Sequence, residues 1–450
     1  MSRRILALAW PSIATNVTTP LMAMVDLTIV GHLGGMSYIG AVAIGGAMFN
    51  MLYWLTGFLR MGTSGFTANA HGSGDRNAMS GTLARALSVS LLLSLPILLF
   101  SGVIADVMQW FLSPDNAEVS AEARTYFATA IWGAPAVLAT YVLSGWFTGM
   151  QDTRPILLMA IVQNMLNIVI SLALVYAFDM GLTGVAAGTA ISQWIGAGIG
   201  LAVSARLRRR LRLPSLRKSI RHTGVTLRHF FRVNGDIFLR TLCLVGVTMW
   251  FTRQGAHIGT DILAANALLM QLFMLFSFFM DGFAFAGEAL AGHFHGAGDS
   301  RSLRRCVRSL HLWGFGLSIV ASLLYCFGGI EILRLLTDDT AVIATASHYI
   351  YWIAAVPICG YMAFIWDGIF IGLTMTRAML LSMATAMAVF FGIDLGAADI
   401  TLLGADGNNL LWLAFNAYLL CRGIVQSIIF STKHGAKSAQ NARKNADNTP

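Results

Sequence analysis

The stretches His71–Arg76 (HGSGDR) and His295–Ser300 (HGAGDS) are near-copies, 224 residues apart. Other pairs keep almost the same spacing. Gly145–Gly149 (GWFTG) returns as Gly368–Gly372 (GIFIG), and Thr153-Arg154 returns as Thr376-Arg377, both 223 residues on. Pro135 pairs with Pro357, and the loop at Gly31 with the loop at Gly255. One nearly constant offset over so long a stretch means that a single structural unit occurs twice. Apolar runs fill each copy, at roughly 9–31, 39–66, 83–108, 126–149, 156–178 and 184–205, then 236–254, 262–291, 307–330, 346–373, 378–397 and 408–430. Each is about the 20 residues that a spanning helix needs. Strict apolar/polar alternation is missing, so helices rather than a barrel must satisfy the backbone in lipid.

Composition agrees. Of 450 residues, 56% are hydrophobic and 11% charged, with a mean hydropathy of +0.68. An ordinary soluble domain carries about 25% charge. The expected fold is therefore an all-α polytopic membrane protein, with twelve transmembrane helices in two six-helix bundles. The expected organisation is an N-terminal bundle over 1–206, a basic linker over 207–233, a C-terminal bundle over 234–432 and a disordered polar tail over 433–450. The opening MSRRILALAWPS lacks a small-residue cleavage site and reads as the start of the first helix. Five scattered cysteines (Cys243, Cys306, Cys326, Cys359, Cys421) show no metal-ligand spacing and read as apolar filler.

The net charge of +9 reads as a topology signal. With both termini inside, almost all Lys and Arg fall in cytoplasmic segments, ten of them in the linker cluster from Arg206 to Arg232. Only Arg124, Arg253 and Arg334 fall outside, where Asp106, Asp115, Glu118, Glu122, Asp338 and Asp339 collect. That is the positive-inside pattern. It makes the linker an anchor near anionic lipid rather than a nucleic-acid site. Both halves start on the same side, so the repeats are parallel, an arrangement that places a substrate site between the halves of a transporter. Gly184/Gly188 and Gly196/Gly200 have the small-xxx-small spacing of close helix packing. The 22 Met and 27 Phe suit core and lipid-facing filler, and also an adaptable apolar cavity.

Ionisable residues within spans are costly and point to function. Asp26, in PLMAMVDLTIV, is the sharpest: a carboxyl among apolar neighbours that can trade a proton for a cation or substrate. Asp281 and Glu288 are seven apart and share a helix face. Asp367 stands where the first repeat has Ser144. Arg60, Arg240 and Arg422 are the basic residues within spans, and Arg240 has the i,i+4 spacing for an ion pair with Asp236. Gln163, Asn164, Asn167, Ser171, Thr189 and Gln193 form a polar set on the fifth and sixth spans. Asn164 and Asn167 either bond Asp26 or join helices. Pro11 and Pro20 lie fifteen and six residues before Asp26, and a proline kink beside a titratable acid would couple protonation to helix shape. No P-loop, GxSxG or HExxH is present, so no enzyme is expected, no cofactor or metal is implied, and transport would draw on an H+ or Na+ gradient.

Val25–Gly34, the HGSGD turn and the twofold repeat together resemble the multidrug and toxic compound extrusion (MATE) transporters, over essentially the whole chain. Asn234-x-Asp236-Ile237-x-x-Arg240, Asp281–Ala284 and the Glu288 region resemble its DinF branch (DNA-damage-inducible protein F). The resemblance implies a V-shaped pair of bundles in a bacterial inner membrane. It implies export of cationic or amphipathic drugs or metabolites by a monomer, driven by inward H+ or Na+. It makes Asp26 the coupling aspartate of helix 1, Pro11 the proline linked to bending and Asn167 part of the helix-5 polar cluster. Asp367 matches the helix-10 aspartate of sodium-coupled relatives. The acid that some relatives carry four residues after Asn167 is Ser171 here, and Val245–Phe251 holds no match to their helix-7 glutamate, which favours H+ through Asp26. The alternatives are a Na+-coupled exporter and a lipid-linked precursor flippase. The flippase needs several cavity-facing cations.

Overall fold

The computed structural model describes residues 1–31, 36–112, 117–219, 226–396 and 407–447, with side chains at 19–24, 36 and 434–447 left aside. Asp115, Arg221, the side chain of Pro20 and the tail charges beyond Lys433 lie outside the described residues. Helices and short turns make up all of the described chain.

The first half holds α1 (Ser2–Gly31), α2 (Met36–Thr56), α3 (Phe58–Ser73), α4 (Arg76–Leu99), α5 (Ser101–Leu112), α6 (Ala117–Ala130), α7 (Ala134–Gly149), α8 (Arg154–Tyr176) and α9 (Gly181–Arg210). A short α10 (Leu216–Ser219) lies in the linker. The second half holds α11 (Leu227–Ile258), α12 (Thr260–Gly296), α13 (Ser300–Leu336), α14 (Thr340–His348), α15 (Ile350–Gly372), α16 (Thr376–Gly396) and α17 (Gly407–Asp447). The pairs α2/α3 and α6/α7 each make one span, α15 makes one by itself after the short α14, and α5 follows α4 directly. Eleven stretches of the described residues are long and apolar enough to cross a membrane. The 30-residue α1 completes the set of twelve; at 1.5 Å per residue it is about 45 Å long.

Within the basic segment expected as the linker over 207–233, α9 continues through Arg210 and α11 begins at Leu227. Arginine is a good helix former, so the basic run extends its helix instead of ending it. Helix α17 likewise continues to Asp447, through a segment rich in Ala and Lys that the sequence reading leaves without structure.

The repeated motifs have the same geometry in both halves. Gly74 (φ 71°) and Gly298 (φ 70°) adopt the left-handed conformation that ends α3 and α12. The N–H of Asp75 then donates to Ala70 O at 3.0 Å, and that of Asp299 to Phe294 O at 2.9 Å. Each aspartate caps the next helix, accepting at 2.9 Å from Ala78 N or Ser302 N. HGxGD is thus a helix stop followed at once by a helix start. A second turn repeats too: Gln151 (φ 60°) and Thr374 (φ 53°) take the left-handed position at the ends of α7 and α15.

GWFTG and GIFIG are close-approach surfaces. A Cβ on Gly149 would sit 2.8 Å from Ser64 O, and one on Gly372 would sit 2.6 Å from Glu288 O. Glycine therefore lets α7 press on α3 and α15 on α12. Gly188 gives α9 the same approach to Ser171 on α8, and Gly200 the same approach to Met159.

The two halves meet near the end where the basic residues lie. Asn16 on α1 donates to Phe278 O on α12 at 3.2 Å, and Asn69 on α3 donates to Gly372 O on α15 at 2.6 Å. His71 and His293 rings lie 5.1 Å apart, and Phe66 stacks on Phe230. A belt of exposed apolar side chains such as Leu92, Leu99, Val320 and Leu324 surrounds the bundle, as a lipid-facing surface requires.

Candidate functional site

Two polar clusters lie inside the apolar body, one in each half. The first is built on α1, α8 and α9. Asp26 is 4% exposed. Its Oδ2 accepts from Thr189 Oγ1 at 3.3 Å, and Thr189 Oγ1 accepts from Asn167 Nδ2 at 3.0 Å. The single hydroxyl proton of Thr189 is shared with Val185 O at 3.1 Å. Among the described residues Asp26 Oδ1 has no hydrogen-bond partner, and neither do Asn167 Oδ1, Ser171 Oγ or Gln193 Oε1. Ser171 is one turn beyond Asn167, and Gln193 one turn beyond Thr189, so these atoms continue the faces that hold Asp26. An ionised carboxylate has about four acceptor positions, and among the described residues the Thr189 hydroxyl, with Asn167 beside it, is what faces them.

Asn164 separates from that network. Its Nδ2 donates to Thr18 O at 3.1 Å and ties α8 to α1 below Asp26. Of the two roles open to the asparagines, Asn167 takes the acid network and Asn164 the helix joint. Gln163 packs beside Gly196 on α9, outside the network. Helix α1 runs through both Pro11 and Pro20. Around Pro11, Ser12 Oγ donates to Leu8 O and Thr15 Oγ1 to Pro11 O, each at 2.9 Å. Such back-bonds, beside a carbonyl that the proline cannot serve, are sources of helix bending.

The second cluster is ionic and lies on α11, α12, α15 and α17. Asp367 accepts from the guanidinium groups of both Arg240 and Arg422, and from Gln426 Nε2 at 2.7 Å. Arg422 is 2% exposed and lies 5.8 Å from the Phe364 ring centre. Arg240 does not pair with Asp236; Asp236 accepts from Thr376 Oγ1 at 2.9 Å instead. The i,i+4 spacing permits that pair, but Arg240 points into the bundle, where Asp367 is the desolvated anion. Glu288 is 1% exposed and takes both guanidinium nitrogens of Arg60 at 3.2 Å. Arg60 also covers the Phe285 ring at 4.0 Å. This pair crosses between the halves, from α3 to α12. Asp281 makes no hydrogen bond among the described residues, yet lies within electrostatic reach of Arg60 and Arg240.

Three participants escaped the sequence reading. Gln426 is one turn from Arg422, a spacing that could have revealed it. Tyr126, within electrostatic reach of Asp26, comes from a different span and carries no such signal. Asp394 accepts from Trp250 Nε1 at 2.7 Å and Gln254 Nε2 at 3.1 Å, joining α16 to α11. It lies close to the end of its span, where an acid reads as interfacial.

Apolar spans in two repeats, with buried acids inside each half and one ion pair between the halves, are the architecture of a membrane transporter. The MatE family model matches residues 11–173 and 237–390, and the chain belongs to that family. It is 34% identical to DNA damage-inducible protein F of Escherichia coli (strain K12) over 425 residues, covering 94% of this chain and 90% of that one. It is 26% identical to Probable multidrug resistance protein NorM of Xanthomonas axonopodis pv. citri, over 86% of this chain and 84% of that one. A crystal structure of MATE in the bent conformation superposes with a TM-score of 0.87 at 17% identity, covering 98% of this chain and 97% of that one. That likeness bears on the fold.

Proposed function

We propose that the chain exports cationic or amphipathic small molecules in exchange for protons, with Asp26 as the carboxyl that binds one or the other. The observation that carries this reading is the contrast in partners. Among the described residues Asp26 meets only neutral groups, Thr189 and Asn167, and its Oδ1 has no partner, whereas Asp367 is held by two guanidinium groups and an amide. A cation arriving at Asp367 would meet two arginines already there. This supports Asp26 as the coupling group and Asp367 as a fixed counter-ion, and weighs against a sodium site in the second half. The names of the NorM relatives and the resemblance to MATE exporters support the substrate class.

The cycle follows from the exclusion of two cations by one carboxyl. Substrate binds ionised Asp26 from the basic side. Protonation from the opposite side removes the charge that holds it, and the substrate leaves. The proline-bearing α1 transmits the change to the contact between the halves, where Asn16 and Phe278 meet. In this reading the basic end is cytoplasmic, both termini lie there, and the halves are closed on that side. The membrane is a bacterial inner membrane, and the monomer is the working unit. Lipid-linked pyrophosphate is disfavoured as cargo, since Arg60, Arg240 and Arg422 are each paired with an acid.

The test is flux in proteoliposomes holding the purified chain, with a fluorescent cation and an imposed pH or Na+ gradient. The expected result is uptake driven by the pH gradient and lost in Asp26→Asn. Flux driven by Na+ alone, or full proton-driven flux in a folded Asp26→Asn variant, would overturn the reading.

A further inference from the structure

A cavity of about 320 Å³ opens between the halves. Its walls are aromatic and aliphatic, with Phe58 on α3, Val89 and Leu93 on α4 and Phe231, Gly235 and Phe238 on α11, and Asn234 is its one polar lining residue among the described residues. No acid lines it. Around it the surface is lipid-facing: Leu91, Leu92 and Leu95 on α4 and Leu239 and Leu242 on α11 are exposed. We propose that an anionic phospholipid of the leaflet at the basic end seats an acyl chain in this cavity and its headgroup on Arg228.

The sequence of α11 carries the argument. Arg228, Phe231, Gly235 and Phe238 are spaced by three, four and three residues, so they form one stripe along the helix. Arg228 is exposed in the first turn, at the basic end. At 1.5 Å per residue, Phe238 lies about 15 Å deeper, which is half of a hydrocarbon core roughly 30 Å thick. The stripe therefore has the length of one leaflet, with a cation at the headgroup level and aromatic rings below. Arg232 is exposed in the next turn. The start of the 32-residue α11 adds the positive end of its helix dipole. Across the cavity, Arg85 begins a matching stripe with Val89 and Leu93 on α4. The linker crosses α4 nearby, through Ser80 Oγ donating to Pro214 O at 2.7 Å.

Charge decides the occupant. A cationic substrate would find arginines at the mouth and no carboxylate within. A zwitterionic lipid would fill the apolar part but would gain less from Arg228 and Arg232. An anionic phospholipid satisfies both ends. Because the walls come from both halves, the bound chain wedges the joint between them.

Gly235 offers a clean test. A Cβ there meets nothing within 4 Å, so Gly235→Phe can fill the cavity without moving the backbone. The purified full chain is placed in nanodiscs of mixed phosphatidylglycerol and phosphatidylcholine, and retained lipid is counted by native mass spectrometry. The wild type should retain phosphatidylglycerol in preference. Gly235→Phe should lose the retained lipid. Arg228→Gln should keep a lipid, with its preference for phosphatidylglycerol lowered about fivefold, the weight of one interfacial cation. Val89→Phe narrows the cavity from the opposite wall and serves if Gly235→Phe misfolds. Unchanged retention in a folded cavity-filling variant overturns the proposal. So does one-for-one displacement of the lipid by a fluorescent cation, which would make the cavity a substrate route.

Discussion

The two halves share a backbone plan and differ in how they hold acids. Asp26 on α1 and Trp250 on α11 are 224 residues apart, so they occupy equivalent positions. In the second half, Trp250 and Gln254 both donate to Asp394 Oδ2. In the first half the equivalent of Asp394 is Ser171, whose Oγ has no partner among the described residues. The acid lies instead on α1, beside the Thr189 hydroxyl. The same contrast holds nearer the basic end. Asn16 and Ser144 are neutral, whereas their equivalents Arg240 and Asp367 form the ionic cluster. Duplication supplied two copies of one scaffold. In the second copy, donors from α11 and α17 converge on the acids, although Arg240 Nε, Arg422 Nε and Gln426 Oε1 have no partner among the described residues. In the first copy Asp26 meets no guanidinium, and its Oδ1 has no partner among the described residues.

Breaking the first half should change transport while sparing the fold. Asp26→Asn should reduce proton-driven flux to that of empty vesicles, with little change in thermal unfolding in detergent. If instead unfolding shifts strongly and residual flux stays coupled, the acid is structural and the contrast fails. The second half should answer in the opposite way. Asp367→Ala leaves two buried guanidinium groups without an anion, and should cost about 3–5 kcal/mol, the scale of an uncompensated buried charge. Unfolding in detergent reads this, and an unchanged midpoint would show that Asp367 does not hold the two arginines as described.

Glu288→Gln tests the pair that joins the halves. It leaves Arg60 with one charged partner fewer, and should cost about 1–3 kcal/mol of stability. It should also raise the accessibility of a cysteine placed at Ala68 to a reagent added from the basic side. Thr189→Val removes the hydroxyl that donates to Asp26 and should lower stability by about 1 kcal/mol, and it should shift the pH profile of transport. The same profile in wild type and variant would exclude Thr189 as a tuning group. The smallest effect belongs to the shared turn. Thr374 holds a left-handed backbone that a β-branched residue adopts with strain, so Thr374→Gly should be neutral or stabilising by up to about 1 kcal/mol.

Much of this was legible in the chain. Spans show because lipid demands about 20 apolar residues each, and the repeat shows because HGxGD must end one helix and cap the next. Asp26 stands out because few acids interrupt apolar runs. The partners of the acids were not legible. Arg60 meets Glu288 across 228 residues, and Arg240 meets Asp367 across 127. No local spacing announces either pair, and the local spacing that was present, Asp236 with Arg240, pointed to a pair that does not form. Asn164 and Asn167 share a helix and yet serve different neighbours, because α1 passes one and α9 the other.

The sequence by itself determined that the chain crosses a membrane about twelve times, in two parallel copies with their charges sorted to one side. These follow from the cost of placing polar groups in hydrocarbon, which acts on each segment separately. Only the tertiary structure decided which buried acid is left with an unfilled acceptor and which is locked by arginines. That depends on donors brought in from distant helices, and a donor's distance is a property of the packed bundle.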